Sequence, residues 1–328
     1  MSSNNFQSFL FAFVVLALTL TARTESGVEA ERKIADPIAG TSLTAQVSSQ
    51  AENILPPARP APSNKALNLD HGQITLSWVR PEPEKILPAP PSTKAEVVLI
   101  EELQSNYPLF EKNVEKRWPL ASVTKLMTAV VALEKIPKDR KIAITERAAA
   151  SEGSAGNFKV GEIFEAADLV RAAIIISSND AAMALADHYG ERDFIDAMNG
   201  KAFELNLNET VFADPTGLSV LNQSSAADTK KLVRYILERH PQIFETAAKT
   251  SITIAELKSG TNRIIPSNNQ FAGRPDFIGG KTGYTDDASG NLVSIFKDAG
   301  RYFLIIVFGT LERFEETDAL RKWAKYNF

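Results

Sequence analysis

Ser122 and Lys125 lie three residues apart where the apolar run Leu126 to Ile136 begins. On a helix, positions i and i+3 share a face, so this spacing carries Lys125 Nζ to Ser122 Oγ. A serine hydroxyl attacks only with a base beside it, and none of the histidines, His71, His188 and His240, is placed to help. A lysine can be that base if desolvation and a second nearby cation keep it neutral. A serine at a helix N-terminus also stands beside free backbone N–H groups that can hold an oxyanion. Taken alone, the pair is better read as an N-cap serine with a solvent-facing lysine. Ser294 and Lys297 repeat the pattern, but in a strand their side chains point to opposite faces and cannot cooperate.

Two further clusters could complete such a site. Ser177-Ser178-Asn179 joins the apolar stretch ADLVRAAIII to AAMALADHY. A tight connection between two helices can project a hydroxyl and an amide into a cleft, or simply cap the second helix through Asn179 or Asp180. Lys281-Thr282-Gly283, after Gly279-Gly280 and before Tyr284-Thr285, reads as a strand carrying a cation, a hydroxyl and a glycine. Such a strand can pair with an extended peptide while its side chains hold a carboxylate, and the glycine permits close backbone approach. A glycine-rich hairpin is the plainer reading. Ser289-Gly290-Asn291 further on reads as a hairpin turn.

Composition narrows the chemistry. Thirty-six basic and forty acidic residues give a net charge of −4, which leaves no basic field for nucleic acid. There is no cysteine, and three scattered histidines do not make a cluster, so neither a metal nor another cofactor is expected. The reaction must rest on Ser, Lys, Asp, Glu or Arg.

The elements that position these residues begin well inside the chain. Phe9 to Leu20 is an apolar run of about 18 Å as a helix, short for a bilayer but suited to the core of a secretory signal. Small-residue cleavage sites follow at Leu20-Thr21-Ala22 and Val28-Glu29-Ala30, although no Lys or Arg precedes the run. Residues 1–30 are therefore expected to be a signal peptide or an N-terminal membrane anchor, placing the protein outside the cytoplasm. Nine of the 17 prolines fall between Pro56 and Pro91, so residues 31–93 read as a largely disordered spacer, with one short strand at Gln73–Trp78. Residues 94–328 are the expected catalytic domain. Val97–Ile100 and Leu109–Phe110 read as strands, helical patterns run from Ser122 to about His240, and strands return at Gly290–Lys297 and Tyr302–Phe308. Glu315–Trp323 reads as a last helix. This order predicts an α+β fold: an antiparallel sheet made from both chain ends, flanked by helices, with a mainly helical insertion.

Three weak motifs in order are stronger than any one. Ser-x-x-Lys, Ser-x-Asn and Lys-Thr-Gly occur in that order in penicillin-recognising serine enzymes. The flanks Arg117-Trp118-Pro119-Leu120-Ala121 to Ala129, Ser178-Asn179-Asp180-Ala181-Ala182, Asp214-Pro215-Thr216-Gly217-Leu218-Ser219 and Gly280 to Thr285 closely resemble the low-molecular-mass D-alanyl-D-alanine carboxypeptidases, the S11 serine peptidases. That family's middle motif usually reads Ser-Gly-Asn, with Ser178 here replacing the glycine. The resemblance spans about Val97 to Phe328 and implies the fold of penicillin-recognising transpeptidases. It also implies Ser122 as acylated nucleophile, Lys125 as its base, Ser177 as relay to the leaving amine, and Asn179 as ligand of the substrate or of Lys125. Lys281, Thr282 and Gly283 would bind the substrate and its carboxylate. The backbone N–H groups of Ser122 and Tyr284 would form the oxyanion hole. Arg313 matches a family arginine near the carboxylate, unless it merely pairs with Glu315 or Glu316.

The reading that follows is an exported D-Ala-D-Ala carboxypeptidase acting on peptidoglycan stem peptides and inhibited covalently by β-lactams. The alternative is a D,D-endopeptidase of the same family. The expected end of the chain at the catalytic domain and the segment Pro215 to Asp228 point toward that alternative. Glu204-Leu205-Asn206-Leu207-Asn208 spells the pattern of a β-lactamase deacylating glutamate, but Met198 to Thr210 reads as one amphipathic helix, as in the peptidases. An idle penicillin-sensing module is the remaining rival.

Overall fold

The computed structural model describes residues 89–328 apart from Ser154, together with the backbone of Leu69–Asp70 and Gln73–Ile74. The apolar run at Phe9–Leu20 and most of the proline-rich segment lie outside the described residues. Strands β1 (Leu69–Asp70) and β2 (Gln73–Ile74) pair as a short antiparallel ladder. The expected strand at Gln73–Trp78 is described only over its first two residues. These strands belong to a different unit from Pro81–Phe328, which holds everything that follows.

That second unit opens with β3 (Val97–Glu102) and β4 (Tyr107–Lys112), then β5 (Trp118–Pro119) and a tight 3-10 turn at Ala121–Thr124 that runs straight into α1 (Lys125–Lys135). Next come β6 (Lys141–Ala143), α2 (Glu146–Ala149), β7 (Ile163–Glu165), α3 (Ala166–Ile175), α4 (Asn179–Tyr189) and α5 (Glu191–Glu204). After β8 (Gln223–Ser224), α6 (Ala226–Arg239) and α7 (Gln242–Ala247), the hairpin β9 (Ser251–Ala255) and β10 (Asn262–Pro266) leads to β11 (Phe277–Thr285), β12 (Ser289–Asp298), β13 (Arg301–Phe308) and α8 (Arg313–Asn327).

The main sheet has the order β11-β12-β13-β3-β4, antiparallel throughout, so both chain ends build it as the sequence order predicts. Alternation along each strand sends one set of side chains to each face. Val97, Leu99, Val293, Ile295, Leu304 and Ile306 face the helical insertion. Val98, Ile100, Leu292, Ile305 and Val307 face Phe314, Leu320 and Ala324 of α8. Because both faces are covered, the central strands are unbroken apolar runs rather than alternating ones. Each such side chain contributes about 1.5–3 kcal/mol by leaving water. Shortening Leu99 to Ala would therefore cost about 2–5 kcal/mol, cavity included.

Within the insertion, α1 packs against α3, α4 and α5. Every residue from Lys125 to Ala132 is buried, so α1 is a central helix and not a surface one. Expectation and structure part in two places and agree in a third. The segment from Met198 to Thr210 is not one helix: α5 ends at Glu204, and Asn206 takes a left-handed φ of 54° that turns Leu207 back into the core. Glu204 pairs with Lys201 on the surface and does not line the cleft, in agreement with setting aside a deacylating role for it. Ser289-Gly290-Asn291 is not the hairpin turn; the turn is Asp286-Asp287-Ala288, and Asn291 sits inside β12, fully buried.

Candidate active site

The segment that carries Ser122 is shaped by a strained turn. Ala121 adopts φ 48°, a conformation costly for a residue with a Cβ, and it persists because its surroundings fix it. Leu120 N–H donates to Asn222 O at 2.8 Å, and Asn291 Nδ2 donates to Pro119 O at 2.8 Å and Leu120 O at 3.1 Å. Asn291 Oδ1 also accepts from Gly309 N at 3.0 Å, tying this turn to the sheet. Ser122 therefore lies in the 3-10 turn and not at an α-helical N-cap, while Lys125 is the first residue of α1. The expected pairing survives: Lys125 Nζ stands 2.9 Å from Ser122 Oγ.

Lys125 is fully buried, not solvent-facing. Its other partners are Asn179 Oδ1 at 2.5 Å and the Thr216 carbonyl at 2.7 Å. Burial pushes its pKa down to about 7, against the pull of the Asp214 and Asp180 carboxylates toward the charged form. Asn179 thus binds the lysine, one of its two expected roles. Its amide orientation is fixed because Nδ2 donates to the Glu152 carbonyl at 2.6 Å. Ser178, the residue in the usual glycine position, is the N-cap of α4, accepting from Ala181 N at 3.1 Å.

Ser177 occupies the connection between α3 and α4 with φ 64°, a second strained residue at the cleft. Its Oγ accepts from Lys281 Nζ at 2.8 Å. Lys281 is buried and also donates to Thr282 O at 2.8 Å. Burial holds its pKa well below the ordinary lysine value, and the nearby Lys125 and Arg313 push in the same direction. Thr282 Oγ1 points toward Asn268 Oδ1 at 3.4 Å. Gly283 is needed for space: a Cβ there would lie 2.8 Å from Leu120 O and 3.2 Å from Ser122 N. Edge strand β11 is thereby pressed against the Ala121–Thr124 turn.

All of this opens into a cleft of about 730 Å³ whose wall includes Ser122, Ser177, Asn179, Thr282, Gly283, Tyr284 and Arg313. Arg313 is half-buried, and its Nε is enclosed without a hydrogen-bond partner among the described residues. It does not pair with Glu316, whose carboxylate is taken by Thr93, Lys94 N, Ala95 N and Thr310. Glu315 acts on it only through space. The structure therefore brings every residue singled out for the site to one cleft or just beneath it. Sequence reasoning gave no site role to the Thr216 carbonyl, Asn268, Asn291 or the turn built on Asp214, although Asp214 to Ser219 was among the segments that carried the resemblance. Of these, Asp-Pro-Thr-Gly carried a readable turn signal.

The family model for D-alanyl-D-alanine carboxypeptidase matches residues 84–311. A D-alanyl-D-alanine endopeptidase of Pseudomonas aeruginosa is 30% identical over 261 residues, spanning 74% of this chain and 81% of that protein. The D-alanyl-D-alanine carboxypeptidase DacF of Bacillus subtilis is 30% identical over 67% of this chain and 58% of its own length. Among solved structures, penicillin-binding protein D2 of Listeria monocytogenes in its cefotaxime-bound form matches with TM-score 0.61 and 28% identity, covering 70% of this chain and 96% of that one. A D-alanyl-D-alanine carboxypeptidase of Mycobacterium tuberculosis shares the fold with TM-score 0.68, covering 73% of this chain and 94% of that one at 24% identity. A serine and a buried lysine in contact at the head of α1, on a fold shared with these proteins over most of its length, make the chain a member of the D-alanyl-D-alanine carboxypeptidase family, the S11 serine peptidases.

Proposed function

We propose that the protein is a serine-type D-Ala-D-Ala carboxypeptidase of peptidoglycan stem peptides, working through an ester on Ser122. Neutral Lys125 takes the Ser122 proton as Oγ bonds to the carbonyl carbon between the two D-alanines. The N–H groups of Ser122 and Tyr284 hold the oxyanion. The C–N bond breaks as Ser177, held by Lys281, passes a proton to the leaving amine and is replenished from Lys125. Water, giving a proton to Lys125, then attacks the ester carbon, the Oγ–C bond breaks, and Lys125 returns that proton to Ser122 Oγ. Lys281, Thr282 and Arg313 receive the terminal carboxylate. The carrying observation is the Arg313 guanidinium on the wall of the cleft that holds Ser122, its Nε enclosed without a hydrogen-bond partner among the described residues.

The test is incubation with two defined muropeptides, a monomer ending in D-Ala-D-Ala and a cross-linked dimer. Release of free D-alanine from the monomer supports the reading; an intact monomer with a cleaved dimer defeats it. That second outcome is the endopeptidase reading. It is favoured by one observation: two of the relatives that this chain matches at 30% identity, from P. aeruginosa and Escherichia coli, are D-alanyl-D-alanine endopeptidases. β-Lactams are expected to acylate Ser122 in either case.

Substrate of this kind lies outside the cytoplasm, which agrees with reading residues 1–30 as a signal peptide or anchor and 31–93 as a spacer before the catalytic domain. Among the described residues no helix is long and apolar enough to cross a membrane.

A further inference from the structure

The turn Asp214-Pro215-Thr216-Gly217-Leu218-Ser219 has no part in the reaction as written above. Its aspartate gathers five donors. Asp214 Oδ1 accepts from Thr216 N at 2.6 Å, Thr216 Oγ1 at 2.6 Å and Gly217 N at 2.7 Å. Oδ2 accepts from Ser219 N at 2.8 Å and Asn222 Nδ2 at 2.9 Å. One carboxylate bonded to several N–H groups fixes their peptide planes through charge-assisted bonds.

The turn so fixed touches the nucleophile segment in three places. The Thr216 carbonyl receives Lys125 Nζ, and the Pro215 carbonyl accepts from Thr128 Oγ1 at 2.6 Å. Gly217, at φ 88°, lies so near Ala121 that a Cβ would stand 1.9 Å from Ala121 O. Nothing but a glycine lets the two turns meet there.

Counting hydrogens gives this contact a purpose. An ammonium has three donors; the deprotonated amine keeps two and gains a lone pair. Of the three partners of Lys125, Asn179 Oδ1 and Thr216 O can only accept, whereas the Ser122 hydroxyl can donate. With both N–H bonds placed on the pure acceptors, the lone pair faces the hydroxyl. We propose that Asp214 is a positioning residue for acylation: by fixing its turn it puts the Thr216 carbonyl on one N–H of Lys125 and so aims the amine's lone pair at Ser122. This rests on Lys125 being the base, as proposed above.

Charge gives the test its sign. Lys125 is faced by Asp214 from the turn, Asp180 from α4 and Lys281 from β11, besides Ser122 and Asn179. The two carboxylates favour its protonated form, against burial. Asp214→Asn should therefore do two things to the rate constant for acylation by a chromogenic penicillin. Its plateau should fall about tenfold to a hundredfold, the scale of a misplaced reacting group. Its acid limb should also move to lower pH, which loss of a merely structural contact would not cause. Asp214→Glu, which keeps the charge, should lower the plateau and leave the limb in place.

An Asp214→Asn limb coincident with wild type, or an equal limb shift in Asp214→Glu, would overturn the proposal. Should circular dichroism show Asp214→Asn unfolded, Thr216→Val removes one of the five donors and no charge. A several-fold fall in its acylation constant supports the proposal, and a wild-type constant overturns it. Wild-type protein that is never acylated on Ser122 would instead defeat the base assignment itself.

Discussion

Lys125 and Lys281 are the buried lysines among the described residues, 0% and 1% exposed. Burial drives both below the ordinary lysine range, yet the charges around them differ in sign. Lys125 has Asp214 and Asp180 pulling it back, and it rests at about 7. Lys281 has Lys125 and Arg313 for neighbours, which push it further down. An amine near 7 is present in both forms at neutral pH, as a general base must be. An amine whose pKa is pushed down beside an arginine holds its proton more tightly when an anion arrives. On the proposed mechanism, one residue type thus serves as base or as anion receptor according to the sign of its neighbours.

The comparison can be broken most decisively at its nucleophile. Ser122→Ala should abolish covalent labelling by a fluorescent penicillin, read on a denaturing gel; persistent labelling would remove the serine, and with it the reason for a base at Lys125. Next in size is Lys125→Met, expected to lower turnover by about 10²–10⁴-fold while the thermal transition survives. In the wild type, the neutral fraction of Lys125 grows as pH rises through about 7, so the acylation rate should climb over that window. A flat profile between pH 5 and 8, or near-normal rates in the mutant, would point to another base.

Smaller effects belong to the Lys281 corner. Lys281→Ala and Arg313→Ala should each reduce kcat/KM on a peptide ending in a free carboxylate by about tenfold to a hundredfold. Arg313→Ala should hardly change a substrate whose terminus is amidated. Equal losses on acid and amide would assign Arg313 to structure only. Smallest of all is a proton balance. If Lys281 gains its proton with the ligand, binding of a carboxylate-terminated peptide to Ser122→Ala protein should take up a proton fraction that vanishes in Lys281→Ala. Calorimetry in buffers of different ionisation enthalpy reads it, and zero uptake by the Ser122→Ala protein would erase the distinction drawn between the lysines.

Much of this was legible in the sequence because it rests on local periodicity. The apolar runs at Val97–Ile100 and Tyr302–Phe308 are strands in any setting that covers both faces, and they pair directly, Ile305 opposite Ile100. Ser122 and Lys125 meet because a spacing of three suits a 3-10 turn as well as an α-helix. The end of α5 was misread because the apolar pattern continues through Leu205 and Leu207, while the stop comes from a left-handed asparagine. The β9–β10 hairpin went unseen beside stronger helical signals.

By itself, then, the sequence determined which residue types could react, the order of their motifs and the sheet built from both ends. Only the tertiary structure decided what those residues are. A lysine on a spacing of three is a surface cation until the Thr216 carbonyl and Asn179 close over it, and burial then takes it to about 7. Arg313 is a surface arginine until Glu316 is claimed by the 93–95 segment and Thr310, leaving the guanidinium to the cleft. Both outcomes depend on solvent exclusion and on partners more than 50 residues away in the chain, as with Asn179 and Thr216 at separations of 54 and 91 from Lys125. Spacing records neither, because a pKa and an unpaired charge are properties of the space around a side chain and not of its place in the chain.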